Sequence, residues 1–204
     1  MRLKQWHRTT RRWFGHALGP VFGTTQARGS LAALQPNSIL VVRLNNRLGN
    51  TVLLSPLLIA LAQRYPTARI DVLLRNPNAA ELLRGLPGIG TVWTLDRRTL
   101  KLPWRAVGLL LRIRSQRYDL LIDPAEQSSS NRIAALSLRA KTRLGFAAPH
   151  QWLSLDVAVL RPAHAKHEGL YPLLLLGIDA PMDGSHRVQI KLPATQQGDR
   201  KSVV

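Results

Sequence analysis

Cysteine is absent from the 204 residues, which excludes disulfides, cysteine metal sites and thiol chemistry and agrees with a reducing compartment. No apolar run approaches the ~20 residues needed to cross a bilayer, and the N-terminus lacks the uninterrupted apolar core of a signal peptide. Neither membrane spanning nor secretion is expected. Acids are scarce: 11 Asp and Glu stand against 29 Lys and Arg, a formal net charge of +18. A partner met over a broad surface should therefore be anionic, whether nucleic acid, lipid or a phosphorylated substrate. Only 5% of residues are aromatic, and no helix-turn-helix, zinc or aromatic RNA-binding pattern occurs, which argues against nucleic acid.

What is present is enough for one core. The chain is 45% hydrophobic without long charge blocks or an internal repeat, which fits one domain plus an extension. The extension covers residues 1–37. Its first 35 residues hold Arg2, Lys4, Arg8, Arg11, Arg12 and Arg28 and no acid. Leu3, Trp6, Trp13, Phe14 and Ala17 are interleaved so that they share one broad face if helical, as in a helix lying on an anionic membrane. The other reading is a disordered or surface-packed segment, because His7, Thr9 and Thr10 dilute the pattern. Gly19 to Pro36 reads as a linker.

From Ser38 the pattern alternates strand and helix. Ile39–Leu44 is a short apolar strand, and Thr51–Tyr65 a helix that is either kinked at Pro56 or starts there, with Pro66 as its stop. Arg69–Arg75, Thr91–Leu95, Tyr118–Asp123, Thr142–Phe146 and Leu155–Leu160 read as further strands. Helices are expected over Asn78–Arg84, Trp104–Arg117, Ser130–Leu138 and His167–Leu176. This order implies a Rossmann-like, doubly wound parallel sheet over residues 38–194, with its site in the loops after Leu44, Arg75, Leu95 and Asp123.

The loop after the first strand is the richest in polar groups. Gly49 permits a positive φ or close backbone approach, Asn50 is placed to cap the helix, and Arg47 to meet an anion. One glycine matches neither a dinucleotide fingerprint nor a Walker loop, so a capped turn without ligand is the alternative. Asp123 either accepts a hydrogen bond from substrate or caps the next turn. Asn131 and Arg132 start a helix as phosphate-binding candidates or as a solvated end, and Arg143 is a candidate to reach the same cleft. His164, His167 and Glu168 lack the spacing of a metal site, so no metal is expected.

In order along the chain, Ile39-Leu-Val-Val-Arg-Leu-Asn-Asn-Arg-Leu-Gly-Asn-Thr-Val-Leu-Leu-Ser-Pro56, Tyr65-Pro66, Ile70-Asp-Val-Leu73, Leu86-Pro-Gly88 and Val92 resemble the N-terminal domain of glycosyltransferase family 9, the lipopolysaccharide heptosyltransferases. Tyr118–Asp123, Asn131-Arg132, Arg143-Leu-Gly-Phe146, His167-Glu168 and Leu175-Leu-Gly-Ile178 extend the resemblance over residues 38–180. It implies a GT-B architecture and transfer of a heptose from a nucleotide sugar, ADP-heptose in the first instance, to a phosphorylated lipopolysaccharide core, with no metal or other cofactor. In that family the N-terminal domain receives the acceptor. Arg43, Arg47, Arg132 and Arg143 then become phosphate contacts, Asn45, Asn46 and Asn131 partners of sugar hydroxyls, and Gly49 part of the acceptor loop. The expected location is the cytoplasmic face of the inner membrane.

The resemblance also marks two departures. The family's general base is an Asp directly after the loop glycine, whereas this chain has Asn50, and an amide has no useful basicity near neutral pH. Asp123 is the substitute candidate, unless positioning alone suffices or the domain is a non-catalytic acceptor-binding module. A complete family member would be roughly twice as long, so the C-terminal donor domain is expected to be missing. Residues 195–204 form a polar tail, and Asp199-Arg-Lys-Ser-Val-Val204 matches an in-frame translation of a common short-read sequencing adapter. Natural sequence is expected to end near Gly198.

Overall fold

The apolar quartet Ile39-Leu-Val-Val42 is completely buried, the requirement for a strand covered by helices on both faces. In the computed structural model, which describes residues 34–125, 128–147, 155–160 and 169–178, this quartet forms the heart of β1 (Ser38–Arg43). The other strands are β2 (Arg69–Leu74), β3 (Ile89–Thr94), β4 (Tyr118–Asp123), β5 (Ala140–Phe146) and β6 (Val157–Val159). They make one parallel sheet in the order β3-β2-β1-β4-β5-β6. The expected Rossmann-like, doubly wound α/β fold is the one observed. Extension residues 1–33, the pair His167 and Glu168, His164 and the 195–204 tail lie outside the described residues.

Helix α1 (Leu48–Val52) follows β1 after the loop 44–47, and α2 (Ser55–Arg64) follows α1. Of the two alternatives for Thr51–Tyr65, a kink at Pro56 or a start there, the second holds, and a separate short helix precedes it. Pro56 sits in the first turn of α2, where its missing N–H has no intrahelical partner to lose. Helix α3 (Pro77–Leu83) is capped by Asn76, whose Oδ1 accepts from the Asn78 amide at 3.0 Å. Two helices separate β3 from β4: α4 (Arg97–Lys101), capped by Asp96, and α5 (Pro103–Ser115). Helix α6 (Ser129–Ser137) joins β4 to β5.

The segment expected to be an α-helix over His167–Leu176 is, where described, a 3-10 helix over Tyr171–Leu176 that stops at Gly177 with φ 73. Pro172 opens it, and all its residues except Leu174 are buried. A run this uniformly apolar has no polar stripe to signal a 3.6-residue period.

The sheet divides the core. Ile39 and Val41 meet Leu57, Leu61, Leu83 and Leu173 on one face, while Leu40 and Val42 join Ile113, Leu121, Ala135 and Leu138 on the other. The second face also holds a polar knot. Tyr118 donates to Asp71 at 2.6 Å and accepts from Trp93 Nε1 at 3.3 Å. Burial first, then the Asp71 carboxylate, pushes the Tyr118 phenol well above its ordinary range. A Cβ on Gly90 would stand 2.6 Å from Asp71 Oδ1, so β3 carries glycine where it passes this carboxylate.

Candidate functional site

In a doubly wound sheet, ligands gather at the carboxyl ends of the strands where the winding reverses. Here β1 lies between β2 and β4, so the reversal falls between β1 and β4. The loop following β1 and the loop following β4 converge there.

One side chain ties these two strand ends together. Asn131, in the first turn of α6 and 1% exposed, donates through Nδ2 to the Val42 carbonyl at 2.9 Å and to Asp123 Oδ1 at 3.0 Å. Its Oδ1 accepts from the Leu44 amide at 2.8 Å and from Ser128 Oγ at 3.3 Å. That uses both donors and both acceptor positions of the amide. Asn131, proposed from sequence as a partner for sugar hydroxyls, has no capacity left for a ligand.

Asp123 and Arg132 form a second internal unit. Asp123 is fully buried, and its Oδ1 also accepts from the Ala125 amide at 3.0 Å, the turn-capping role. Its Oδ2 lies 3.2 Å from Arg132 Nε, an ion-pair distance without an aligned hydrogen bond. Arg132 in turn donates from Nη2 to the Phe146 carbonyl at 2.7 Å. Burial pushes the Asp123 carboxyl upward, and the Arg132 charge, the Asn131 and Ala125 hydrogen bonds and the more distant Arg43 charge oppose it. Burial also pulls Arg132 down, against the pull of Asp123, and a guanidinium so placed stays charged. Neither group projects outward. The expected contacts of Arg132 with phosphate and Asp123 with substrate are replaced by contacts with each other.

Arg143 is displaced further. Its Nε and Nη2 donate to the carbonyls of Ala135 and Leu138 at 3.3 and 3.2 Å, which places it at the C-terminal end of α6, where cations satisfy the last carbonyls. Because α6 runs antiparallel to the strands it connects, that end lies at the opposite edge of the sheet from the β1 loop. Arg143 does not reach the cleft. It joins Arg117, Arg139 and Lys141 around an open basic depression of about 460 Å³.

The outer layer is the β1 loop itself. Asn45 folds it into a turn by accepting from the Arg47 amide at 2.9 Å, and Asn76 Nδ2 braces it from the β2–α3 connection by donating to the Asn46 carbonyl at 3.3 Å. Asn46, Arg47 and Gly49 are exposed, while Arg43, Asn45 and Asn50 are half-buried. The residue preceding α1 is Arg47, with no side-chain cap, and Asn50 is the third helical residue. Asn50 is therefore not the cap expected from sequence. Gly49 has an ordinary φ, and a Cβ there would meet nothing within 4 Å. Neither strain nor packing in the described residues requires glycine at this position. The loop after Arg75 was expected at the site, but Asn76 within it was not singled out, although Asn76-Pro77 is a recognisable helix-start signal. Among the described residues no group of His, Asp and Glu is arranged to hold a metal ion.

No protein-family model matches the sequence, and no curated protein is similar to it at the sequence level. Solved structures are similar in fold. A glycosyl transferase family 9 protein from Veillonella parvula superposes with a TM-score of 0.57 at 16% identity, covering 69% of this chain and 40% of that one. The E. coli heptosyltransferase WaaC with ADP gives 0.57 at 16% over 69% and 46%. WaaC with ADP-2-deoxy-2-fluoro heptose gives 0.59 at 17% over 74% and 52%. At such identities the likeness is one of fold, and the chain spans about half or less of the length of each.

Proposed function

We propose that this chain is the acceptor-side half of a GT-B glycosyltransferase of the family 9 type. In this reading it presents a phosphorylated lipopolysaccharide core to a nucleotide sugar, ADP-heptose or a relative, held by a second domain. The observation that carries the proposal is the exposed Asn46-Arg47-Leu48-Gly49 loop at the reversal point of the sheet, supported by the fold shared with WaaC structures that contain ADP and a fluorinated ADP-heptose.

Each outer residue has a chemical task on this reading. Arg47, with Arg43 behind it, pairs with acceptor phosphate. Asn45, Asn46 and Asn50 orient sugar hydroxyls, and the bare surface at Gly49 lets the acceptor approach the backbone. The inner layer of Asp123, Asn131 and Arg132 fixes the loop without touching substrate. Transfer joins an acceptor hydroxyl oxygen to the anomeric carbon as the nucleoside diphosphate leaves, and the hydroxyl proton needs a recipient. Asn50 cannot take it, and Asp123 is buried behind its ion pair. A non-catalytic acceptor-binding module is the second reading, favoured by that missing carboxylate. The protein acts peripherally at the anionic cytoplasmic face of the inner membrane.

Equilibrium binding of the chain in solution to phosphorylated core oligosaccharide, its dephosphorylated form and duplex DNA tests the proposal. Salt-sensitive, phosphate-dependent binding that weakens in Arg47→Ala is expected. Preference for DNA, or indifference to the phosphate, defeats it. Turnover in a longer chain carrying a second Rossmann-like half separates the enzyme from the binding module.

A further inference from the structure

Helix α5 is apolar on two sides. Its inner side is conventional: Ile113 is buried, and Ala106, Leu109 and Leu110 pack against the sheet. Its outer side should be polar. Instead Trp104, Val107 and Leu111, at spacings of three and four that put them on one stripe, are 68%, 54% and 60% exposed, and Leu100 of the adjoining α4 is 40% exposed. Gly108 leaves the stripe open between them, with nothing within 4 Å of where its Cβ would stand. Cations frame this stripe. Arg97, Arg98, Lys101, Arg105 and Arg112 are all exposed, and residues 97–117 contain no acid. Arg112 is held in place over the Trp93 ring at 5.5 Å, while Arg114 turns inward to the Ser137 carbonyl.

We infer that the α4–α5 face is a docking surface for an anionic phospholipid bilayer, with Trp104, Val107 and Leu111 entering the headgroup boundary and the flanking cations engaging lipid phosphates. Charge decides among the occupants. A second copy would bring the same cations into opposition, and the chain's own first 35 residues carry cations and no acid, so both are repelled where a bilayer with anionic headgroups is attracted. Trp104 is the one aromatic ring on the stripe, and Val107 and Leu111 beside it offer no face on which successive bases could stack, which disfavours single-stranded nucleic acid. A bilayer accepts apolar insertion and cationic contact together. The inference rests on the membrane-surface part of the proposed function and not on sugar transfer, and acceptor binding measured without vesicles tests that chemistry separately.

The test is flotation of the full chain with phosphatidylcholine vesicles, with and without phosphatidylglycerol. Binding to the anionic vesicles alone, weakened by salt, is expected. The Trp104→Ser/Val107→Ser/Leu111→Ser variant should bind them about tenfold less or weaker still while its thermal unfolding is unchanged, because these side chains are outside the core. Brominated lipid should quench wild-type emission more than that of Trp104→Phe. The inference is overturned if the anionic vesicles do not bind, if the triple variant binds equally, or if Trp104 contributes nothing to the quenching. It is also overturned if the triple substitution abolishes a solution dimer or binding to an oligonucleotide while vesicle binding is untouched.

Discussion

Replacing Arg132 by Met should be among the most damaging single changes in the domain, and its cost should depend on pH. The substitution keeps most of the side-chain volume but removes the cation 3.2 Å from Asp123 and the 2.7 Å bond to the Phe146 carbonyl. Leaving a buried charge without its partner costs about 3–5 kcal/mol, and the remaining charge of Arg43 places this site toward the lower end. For a chain of this size about 3–5 kcal/mol corresponds to a fall of roughly 6–20 °C in Tm. The sign of the pH effect follows from Asp123. Burial already raises its carboxyl, and loss of Arg132 raises it further. A carboxyl with a folded pKa above its unfolded value destabilises the native state wherever it must ionise. The deficit is therefore small below the unfolded value of about 4 and grows as pH rises through the folded value. Asp123→Asn/Arg132→Met, which has no buried charge to strand, should recover most of the loss and be insensitive to pH. Thermal and urea unfolding of the wild type, both singles and the double between about pH 4 and 8 measure the cycle. A pH-independent deficit, or a double variant no better than Arg132→Met, refutes the reasoning.

Asn131→Ala should cost about 2–4 kcal/mol in urea unfolding, since it strands the Leu44 amide and the Val42 carbonyl at the β1–β4 junction. Gly145→Ala should destabilise by about 1–3 kcal/mol, because its Cβ would stand 2.7 Å from the Asp123 carbonyl. Gly49→Ala should raise stability by about 0.5–1 kcal/mol, as an open helical position allows, yet weaken acceptor binding in the same titration used for the wild type. If Gly49→Ala binds acceptor normally, the open surface there has no part in recognition. Asn50→Asp, in a chain carrying both halves, should raise transfer about a hundredfold if a base is what is missing. Unchanged turnover would assign the proton elsewhere.

The sheet was legible because β1 and β4 are runs with few polar residues, bounded by loops and buried on both faces. Helix α4 was not, since Arg97-Arg-Thr-Leu-Lys101 has no apolar periodicity and its only local signal is Asp96 accepting from the Thr99 amide at 2.7 Å. The break between α1 and α2 is hidden for the opposite reason. Leu53 and Leu54 continue the apolar run across it, so hydrophobicity alone cannot show where one helix stops. At the site, sequence located the loop but could not sort its layers. Asn131 and Arg132 look alike as polar residues opening a helix. Which way they point follows from β1 lying beside β4, a long-range pairing with no local sign.

That sorting changes what the charge balance means. Asp71 holds Tyr118 and the Thr91 amide, Asp96 caps α4, Asp119 ties the start of β1 to Lys141, Asp123 lies against Arg132, and Asp156 accepts from the Arg143 amide. Each of these acids is fastened into the framework. Hydrogen bonds hold the Asp96 and Asp119 carboxyls below their ordinary range, so at neutral pH they are charged acceptors committed to backbone and side-chain donors. Some cations are fastened as well, yet Arg47 in the loop and Arg97, Arg98 and Lys101 on α4 remain at the surface. Among the described acids only Glu81, on α3, is left exposed without such a role. This balance of fastened carboxylates and surface cations is what the two proposals draw on, phosphate at the β1 loop and lipid headgroups along α4–α5. On the same distribution, a proton recipient for sugar transfer must come from outside these five carboxylates, and Asn50 is the position at which restoring one is the most direct test.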